Sequence, residues 1–363
     1  MRRRDWMAIA GVSAAGACRA KSRSSDRTLR VLALNAWHEG TRVEGGLEKL
    51  ADVILKSGAD LTAIPEGKKK EGFGERFRPV LDARGGGTYW IENVSGVSIV
   101  GRLPIVEPAK SIFSGPQGLV AVGVRTRSGR VVHFVAAHLD FRYYAVNLPR
   151  GYHGGDPDWE MNDPDGDGKP DPITDPQAIL EYDRRSKKDE AIAAFLAYAK
   201  PLLAKGERVI LAGDFNDASH LDWTEATKDR FAHNGAVVPW PNSIALAEAG
   251  MKDSYRELHP DPVACPGITW PSEAFGKGCT SWAPESDDRE RVDYVYYGGR
   301  GIRAVESYVA GSRTYWRGKE KRKMKTHDDH VLESLPWPSD HKGVLTVFDL
   351  PPGEARPVQP VVS

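Results

Sequence analysis

Val209-Ile210-Leu211-Ala212-Gly213-Asp214-Phe215-Asn216 runs from four apolar residues into Gly-Asp-Phe-Asn. A short apolar run closed by glycine reads as a buried strand. The polar groups that follow stand where a sheet presents ligands without burying them unpaired. A second stretch mirrors it. Ser339-Asp340-His341 precedes the apolar run Gly343-Val344-Leu345-Thr346-Val347-Phe348, so its polar groups stand where a final strand begins. Carboxylate, amide and imidazole at such places suit a hard divalent cation and a proton-transfer partner.

Working outward, strand-like patterns recur at Leu29–Leu34, Leu61–Ile64, Val97–Val100, Leu119–Thr126, Val131–Ala137, Val292–Tyr297 and Val344–Phe348. Helical periodicity runs through Gly46–Lys56 and most clearly Asp183–Leu203, where Ala191, Ala194, Phe195 and Tyr198 share one face. Strands in runs with a few helices between them predict an α/β (α+β) fold of mixed sheets covered by helices. There is no internal repeat, and residues 28–351 read as one domain, with 352–363 as a C-terminal tail.

Of the 363 residues, 40% are hydrophobic, enough for a sizeable core. The 37 Gly and 25 Pro imply many turns and long loops rather than a helical bundle. A formal net charge of zero removes any global field that would draw in nucleic acid. Met1-Arg2-Arg3-Arg4-Asp5-Trp6 followed by the short apolar stretch Met7–Ala17 reads as an export signal, too short to span a membrane. The paired arginines resemble a twin-arginine signal, and Ala15-Gly16-Ala17-Cys18 resembles a lipobox that would lipidate Cys18. Residues 18–27 form a polar linker. Periplasmic, surface-anchored or extracellular placement is the expectation, and in such a compartment Cys265 and Cys279 are expected to pair.

An insertion at 141–182 contains Asp163-Pro164-Asp165-Gly166-Asp167-Gly168-Lys169-Pro170-Asp171. Carboxylates at alternate positions with a turn glycine are the start of a calcium loop, with Asp163, Asp165, Asp167, Lys169 and Asp171 as its ligand positions. Position twelve is Thr174 rather than Glu, so a bidentate ligand must come from elsewhere, such as Asp175. The other reading is a solvated acidic loop.

Four more polar residues end or punctuate apolar strands. Asn35 follows Leu29–Leu34, Glu66 follows Leu61-Thr62-Ala63-Ile64-Pro65, His138 follows His133–Ala137 with Asp140 two residues on, and Asp293 sits in Arg291-Val292-Asp293-Tyr294. Singly, each is an ordinary turn or structural residue. As an ordered series, Asn35, Glu66, His138-Leu139, Gly213-Asp214-Phe215-Asn216, Arg291-Val292-Asp293-Tyr294, Ser339-Asp340-His341 resembles the endonuclease/exonuclease/phosphatase superfamily from about Leu29 to Leu350. That family includes deoxyribonucleases, sphingomyelinases and inositol-polyphosphate phosphatases. Pro65 departs from it, standing where a Gln commonly precedes the metal-binding Glu.

The resemblance implies a four-layer αββα sandwich with the site at one end of two packed sheets. It implies Mg²⁺ or Mn²⁺ held by Glu66 with Asn35 and Asp340, water oriented or deprotonated by Asp214, and phosphate contacts from Asn216, His138 and His341, the last oriented by Asp293. His38, Tyr143, Tyr144 and Asn147 are candidate substrate contacts. Trp270 reads as packing. A basic patch gathers Arg313, Arg317, Lys319, Lys321, Arg322, Lys323 and Lys325. The expected activity is metal-dependent hydrolysis of a small or lipid-like phosphoester, with an extracellular nuclease as the alternative. A binding protein on the same scaffold, catalytically silent or calcium-stabilised, is the alternative of another class.

Overall fold

In a computed structural model of the chain, the described residues are 26–67, 72–94, 96–115, 117–154, 160–275, 281–317 and 320–351. The proposed signal, Cys18, Cys279 and Lys319 lie outside them. All eight strands expected from sequence are present, shifted at their ends by a residue or two. One sheet has seven strands in the spatial order His330–Val331, Arg303–Ala310, Gly343–Asp349, Thr28–Ala33, Leu61–Pro65, Val97–Gly101, Trp90–Val94. The other has six, in the order Ile105–Ser114, Gly118–Arg125, Val131–His138, Arg208–Asp214, Asp293–Gly298, Lys252–Asp253.

The period-two alternation of the strands explains the layering. Leu29, Val31 and Ala33 point inward and pack with Val120, Val122, Phe134, Ile210 and Val295 from the second sheet. Leu32 and Leu34 point outward and pack on Leu50, Val53, Ile54, Phe73 and Phe77, from helices Gly46–Ser57 and Phe73–Ala83. On the far side, Val135, Val209 and Leu211 pack on Ala191, Ile192 and Phe195 of helix Lys188–Ala204. Each inner strand is therefore buried on both faces, which is why these segments read as continuous apolar runs. The result is the four-layer αββα sandwich.

The helix expected over Asp183–Leu203 starts five residues later, as Lys188–Ala204, and a separate helix, Pro176–Asp183, precedes it. The chain turns between them so that the buried Lys188 ammonium meets the buried Asp183 carboxylate at 2.5 Å. Cys265 is half-buried, and Cys279, with which it is expected to pair, lies outside the described residues. Among the described residues no helix is long and apolar enough to cross a membrane.

Sheet register gathers the polar residues at one end. Thr28–Ala33 and Leu61–Pro65 are parallel, so Asn35 and Glu66 emerge together. Val131–His138 and Arg208–Asp214 are also parallel, with His138 beside Asp214. Asp293 opens an antiparallel strand opposite Asp214. Ser339–His341 precede Gly343–Asp349, which runs antiparallel to Thr28–Ala33 with Val344 opposite Ala33. Gly213 makes this close approach feasible: its φ is +146°, and a Cβ there would lie 1.9 Å from the Ala137 carbonyl oxygen.

Candidate active site

Asp214 is the hub. Its Oδ1 accepts the Asn216 backbone N–H at 2.8 Å, and its Oδ2 accepts the Asn35 amide at 2.8 Å and the Asn216 amide at 3.3 Å. The Nε2 atoms of His138 and His341 each lie 3.8 Å from that same Oδ2. Burial and the neighbouring Asp293 carboxylate push the Asp214 pKa up, against the two imidazoles.

His341 Nδ1 is 2.9 Å from Asp293 Oδ2. Burial opposes charge on the imidazole, yet Asp293, Asp214 and Asp340 together hold its pKa well above the ordinary histidine value. A local framework fixes both partners. The Thr269 hydroxyl accepts the Val292 and Asp293 backbone N–H groups at 3.1 Å each, and the Ser272 N–H donates to the Asp340 carbonyl at 2.6 Å.

On the first sheet, the second amide hydrogen of Asn35 goes to Glu66 Oε1 at 3.2 Å, and Asn35 Oδ1 accepts the Trp37 N–H at 2.8 Å. Asn35 thus links the Glu66 carboxylate to the Asp214 carboxylate. Burial pushes Glu66 up, but His138, the His38 backbone N–H, His38 and His341 hold it below the usual carboxylate value. Asp340 differs: burial, with the charges of Glu66 and Asp214, pushes it up to about 7 against His341. Trp270 stands beside Asp340 on the cleft wall.

Trp37, His38 and Glu39 form an unbroken left-handed run with φ of 43°, 51° and 63°, and Glu66 and Asn216 share that region at 59° and 46°. Such conformations cost free energy in non-glycine residues and persist only where the surroundings fix them. Here the buried Glu39 carboxylate pairs with Arg76, and Gly40 N–H donates to the Ala36 carbonyl at 2.6 Å.

These residues border a cleft of about 310 Å³. His38, Glu66, His138, Asp214, Asn216, Asp340 and His341 line it, as expected, and so does Tyr144. Tyr143 and Asn147 do not. Tyr143 packs edge-on against Tyr182, and Asn147 is buried, with its Oδ1 accepting from Arg150 at 3.3 Å. Asp140 also serves structure, clamping Arg142 through both carboxylate oxygens. Sequence reasoning missed Trp37, Gln117, Phe141, Phe275 and Trp282 on the cleft wall, and took Trp270 for packing alone.

Among the described residues, two groups of side chains have metal-like spacing. Asp214, Asp293 and His341 each offer a ligand atom within 4.8 Å of the others, and His341 Nδ1 is hydrogen-bonded to Asp293 Oδ2. In the insertion, Asp163, Asp165 and Asp171 meet the same spacing. Asp167 instead pairs with Lys169 at 2.6 Å.

A sequence model of the endonuclease/exonuclease/phosphatase family matches residues 32–341. The uncharacterized protein F14F9.5 of Caenorhabditis elegans is 28% identical over 331 residues, 90% of this chain and 93% of that protein. Among solved structures, an endonuclease/exonuclease/phosphatase from Beutenbergia cavernae is 18% identical with a TM-score of 0.48, covering 89% of this chain and 72% of that one. D. rerio TDP2 complexed with a single-strand DNA product is 14% identical with a TM-score of 0.49, covering 89% of this chain and 99% of that one. The human Nocturnin catalytic domain with bound sulfate is 14% identical with a TM-score of 0.48, covering 90% and 95%. With the family pattern spanning both sheets and every segment that feeds the cleft, this chain belongs to the endonuclease/exonuclease/phosphatase family of hydrolases acting on phosphoester bonds.

Proposed function

We propose that this protein is a divalent-metal-dependent phosphoesterase that hydrolyses a single phosphoester by attack of water. The observation that carries the reading is the convergence of Asn35, Asn216, His138 and His341 on one buried carboxylate, Asp214, with Asp293 behind His341.

The donor set fits a hard cation. Glu66 and Asp340 offer carboxylate oxygens to the cleft, and burial first, then the charges of Glu66 and Asp214, disfavour an ionised Asp340 that has no cation beside it. Glu66 and Asp340 would hold Mg²⁺ or Mn²⁺, which when bound draws charge from the phosphate and leaving oxygens. The chain's own residues do the rest. Asp214 orients a water and takes its proton as the water oxygen bonds to phosphorus and the ester P–O bond breaks. The departing oxygen takes a proton from solvent. His341, kept charged by Asp293, donates from Nε2 to a phosphate oxygen, and His138 offers a second donor at the same distance from Asp214. Asn35 positions both carboxylates.

A nuclease is the second reading, favoured by the hairpin Thr314–Arg317/Glu320–Lys323, whose Trp316 Nε1 donates to the Glu273 carbonyl at 2.7 Å and whose Lys321 pairs with Glu273 at 3.3 Å. That hairpin sets basic residues beside the turn that carries Phe275 into the cleft. Export through residues 1–17, lipidation at Cys18, and calcium at Asp163, Asp165 and Asp171 belong to the same proposal.

The test is hydrolysis of bis-p-nitrophenyl phosphate, p-nitrophenyl phosphate and single-stranded DNA, with Mg²⁺ and with chelator. Release from any of them that requires the metal supports the reading. Silence on all three with Mg²⁺ and Mn²⁺ overturns it.

A further inference from the structure

The part of the cleft that the phosphoryl chemistry leaves over is aromatic. Trp37, Phe275 and Trp270 form one group of rings, with centroids 6.4 Å apart for Trp37–Phe275 and 5.3 Å for Trp270–Phe275. Phe141, Trp282 and Tyr144 form another, at 6.2 Å for Phe141–Trp282 and 5.6 Å for Tyr144–Trp282. All six line the same cleft as Asp214 and His341.

Both groups are tied to the reacting end. The Trp37 N–H donates to Asn35 Oδ1 at 2.8 Å, and Trp270 lines the cleft beside Asp340. Tyr144 lies close enough for the Asp214 charge to raise its pKa, after the larger effect of burial. Packing alone does not account for the arrangement. Trp37, Phe141, Trp270 and Trp282 are each only part-buried, so ring surface is left facing the cleft. Size limits the occupant. A cleft of about 310 Å³ is at the small end for ligand sites, room for a phosphoryl group and one ring system rather than a long chain.

We infer that the substrate carries a planar aromatic ring next to its phosphoester, seated among Trp37, Phe275, Trp270, Phe141, Trp282 and Tyr144. This rests on the phosphoester reading, because the ring is placed by a phosphorus group that His341 and His138 hold next to Asp214. The shared chemistry is a flat π-surface, from either a nucleobase or a simple aryl group. Offset or edge-to-face contact with such a ring adds about 0.5–1.5 kcal/mol beyond area burial, up to about tenfold in affinity. A saturated ring of the same size gains the burial without the π-contact.

The experiment reads binding without turnover. Tryptophan fluorescence of the full chain with Mg²⁺ is titrated with phenylphosphonate, cyclohexylphosphonate, methylphosphonate and adenosine 5′-monophosphate. Phenylphosphonate should bind about fivefold tighter than cyclohexylphosphonate and at least about tenfold tighter than methylphosphonate. Trp37→Leu and Trp282→Leu should each remove most of the phenyl-over-cyclohexyl preference while methylphosphonate affinity stays within about twofold. Tighter binding of the nucleotide assigns the ring to a nucleobase, and tighter binding of phenylphosphonate assigns it to an aryl group. Equal affinity for phenyl and cyclohexyl, or a preference that survives both substitutions, overturns the inference even if phosphodiesters are hydrolysed. A ring preference in a protein that hydrolyses no ester would sink the function and leave the ring site standing.

Discussion

His341 Nδ1 lies 2.9 Å from Asp293 Oδ2, which leaves Nε2 of the same ring facing Asp214 Oδ2 at 3.8 Å. One carboxylate thus fixes the ring and its charge, while the other is the proposed proton acceptor. The pairing is made across sheets, since Asp293 opens a strand of the six-stranded sheet and His341 precedes a strand of the seven-stranded one. The active end therefore depends on how the two sheets stack.

Asp293→Asn removes the largest of the charges that hold His341 protonated. The His341 pKa falls, so a reaction needing the charged ring loses activity at lower pH than wild type does. The alkaline limb of the kcat/KM profile should move to lower pH, and kcat at neutral pH should fall about 10- to 10²-fold. An unmoved alkaline limb would show that His341 acts without its charge.

Asn35 holds two carboxylates apart by giving one amide hydrogen to each. Asn35→Ala should lower kcat/KM about 10²-fold through lost positioning and also lower the melting temperature, because it strips hydrogen bonds from the Glu66 and Asp214 carboxylates and the Trp37 N–H. Asn35→Asp should be worse in both respects, since it places a third carboxylate against Glu66 and Asp214. Steady-state kinetics beside thermal melts separate the two effects.

Glu66→Gln keeps an oxygen donor but removes a charge from the proposed cation site. Half-saturating Mg²⁺ for hydrolysis should rise by about tenfold or more, with activity partly restored at high Mg²⁺. A metal titration of wild type and variant checks this. An unchanged half-saturation point would move the cation away from Glu66.

Away from the cleft, buried Asp217 accepts from Asn242 at 2.9 Å and stands near the Asp183–Lys188 pair. Burial, then the Asp183 charge, pushes its pKa up to about 8 from the ordinary 3.8. The folded state therefore keeps a proton that the unfolded state gives up between those values. Stability from this group is full below the unfolded pKa and is lost as pH rises through the folded one. Asp217→Asn, uncharged at every pH, should flatten this decline and be at least as stable as wild type near pH 8. Urea midpoints at acidic and mildly alkaline pH test it, and equal slopes for both proteins would contradict it.

The parts of this molecule that were legible in the sequence are those a short repeat or a strand end announces. Strands buried on both faces, such as Arg208–Asp214, read as apolar runs, and the polar residues just past them mark one edge of the sandwich. Arg303–Ala310 escaped because a bulge between Ala304 and Glu306 resets its alternation. Ile105–Ser114 escaped because it is a bulged, largely exposed edge strand. The ring-lined half of the cleft had no local signal. Trp37 and Phe141 sit in separate loops and Phe275 and Trp282 in the long connection before Asp293, and only the fold brings the three segments together. Tyr143 and Asn147 misled for the converse reason, since the segment that seemed to build a substrate loop folds partly into a buried 3₁₀ turn at Ala145–Arg150.

The central claim is that Asp214 handles the proton of the attacking water. Asp214→Asn preserves the shape of the side chain and can still accept from the Asn216 backbone N–H, so circular dichroism and melting should remain those of a folded protein. Its kcat on bis-p-nitrophenyl phosphate, at saturating Mg²⁺, should fall by at least about 10²-fold. Turnover within a few-fold of wild type in the folded variant would contradict it.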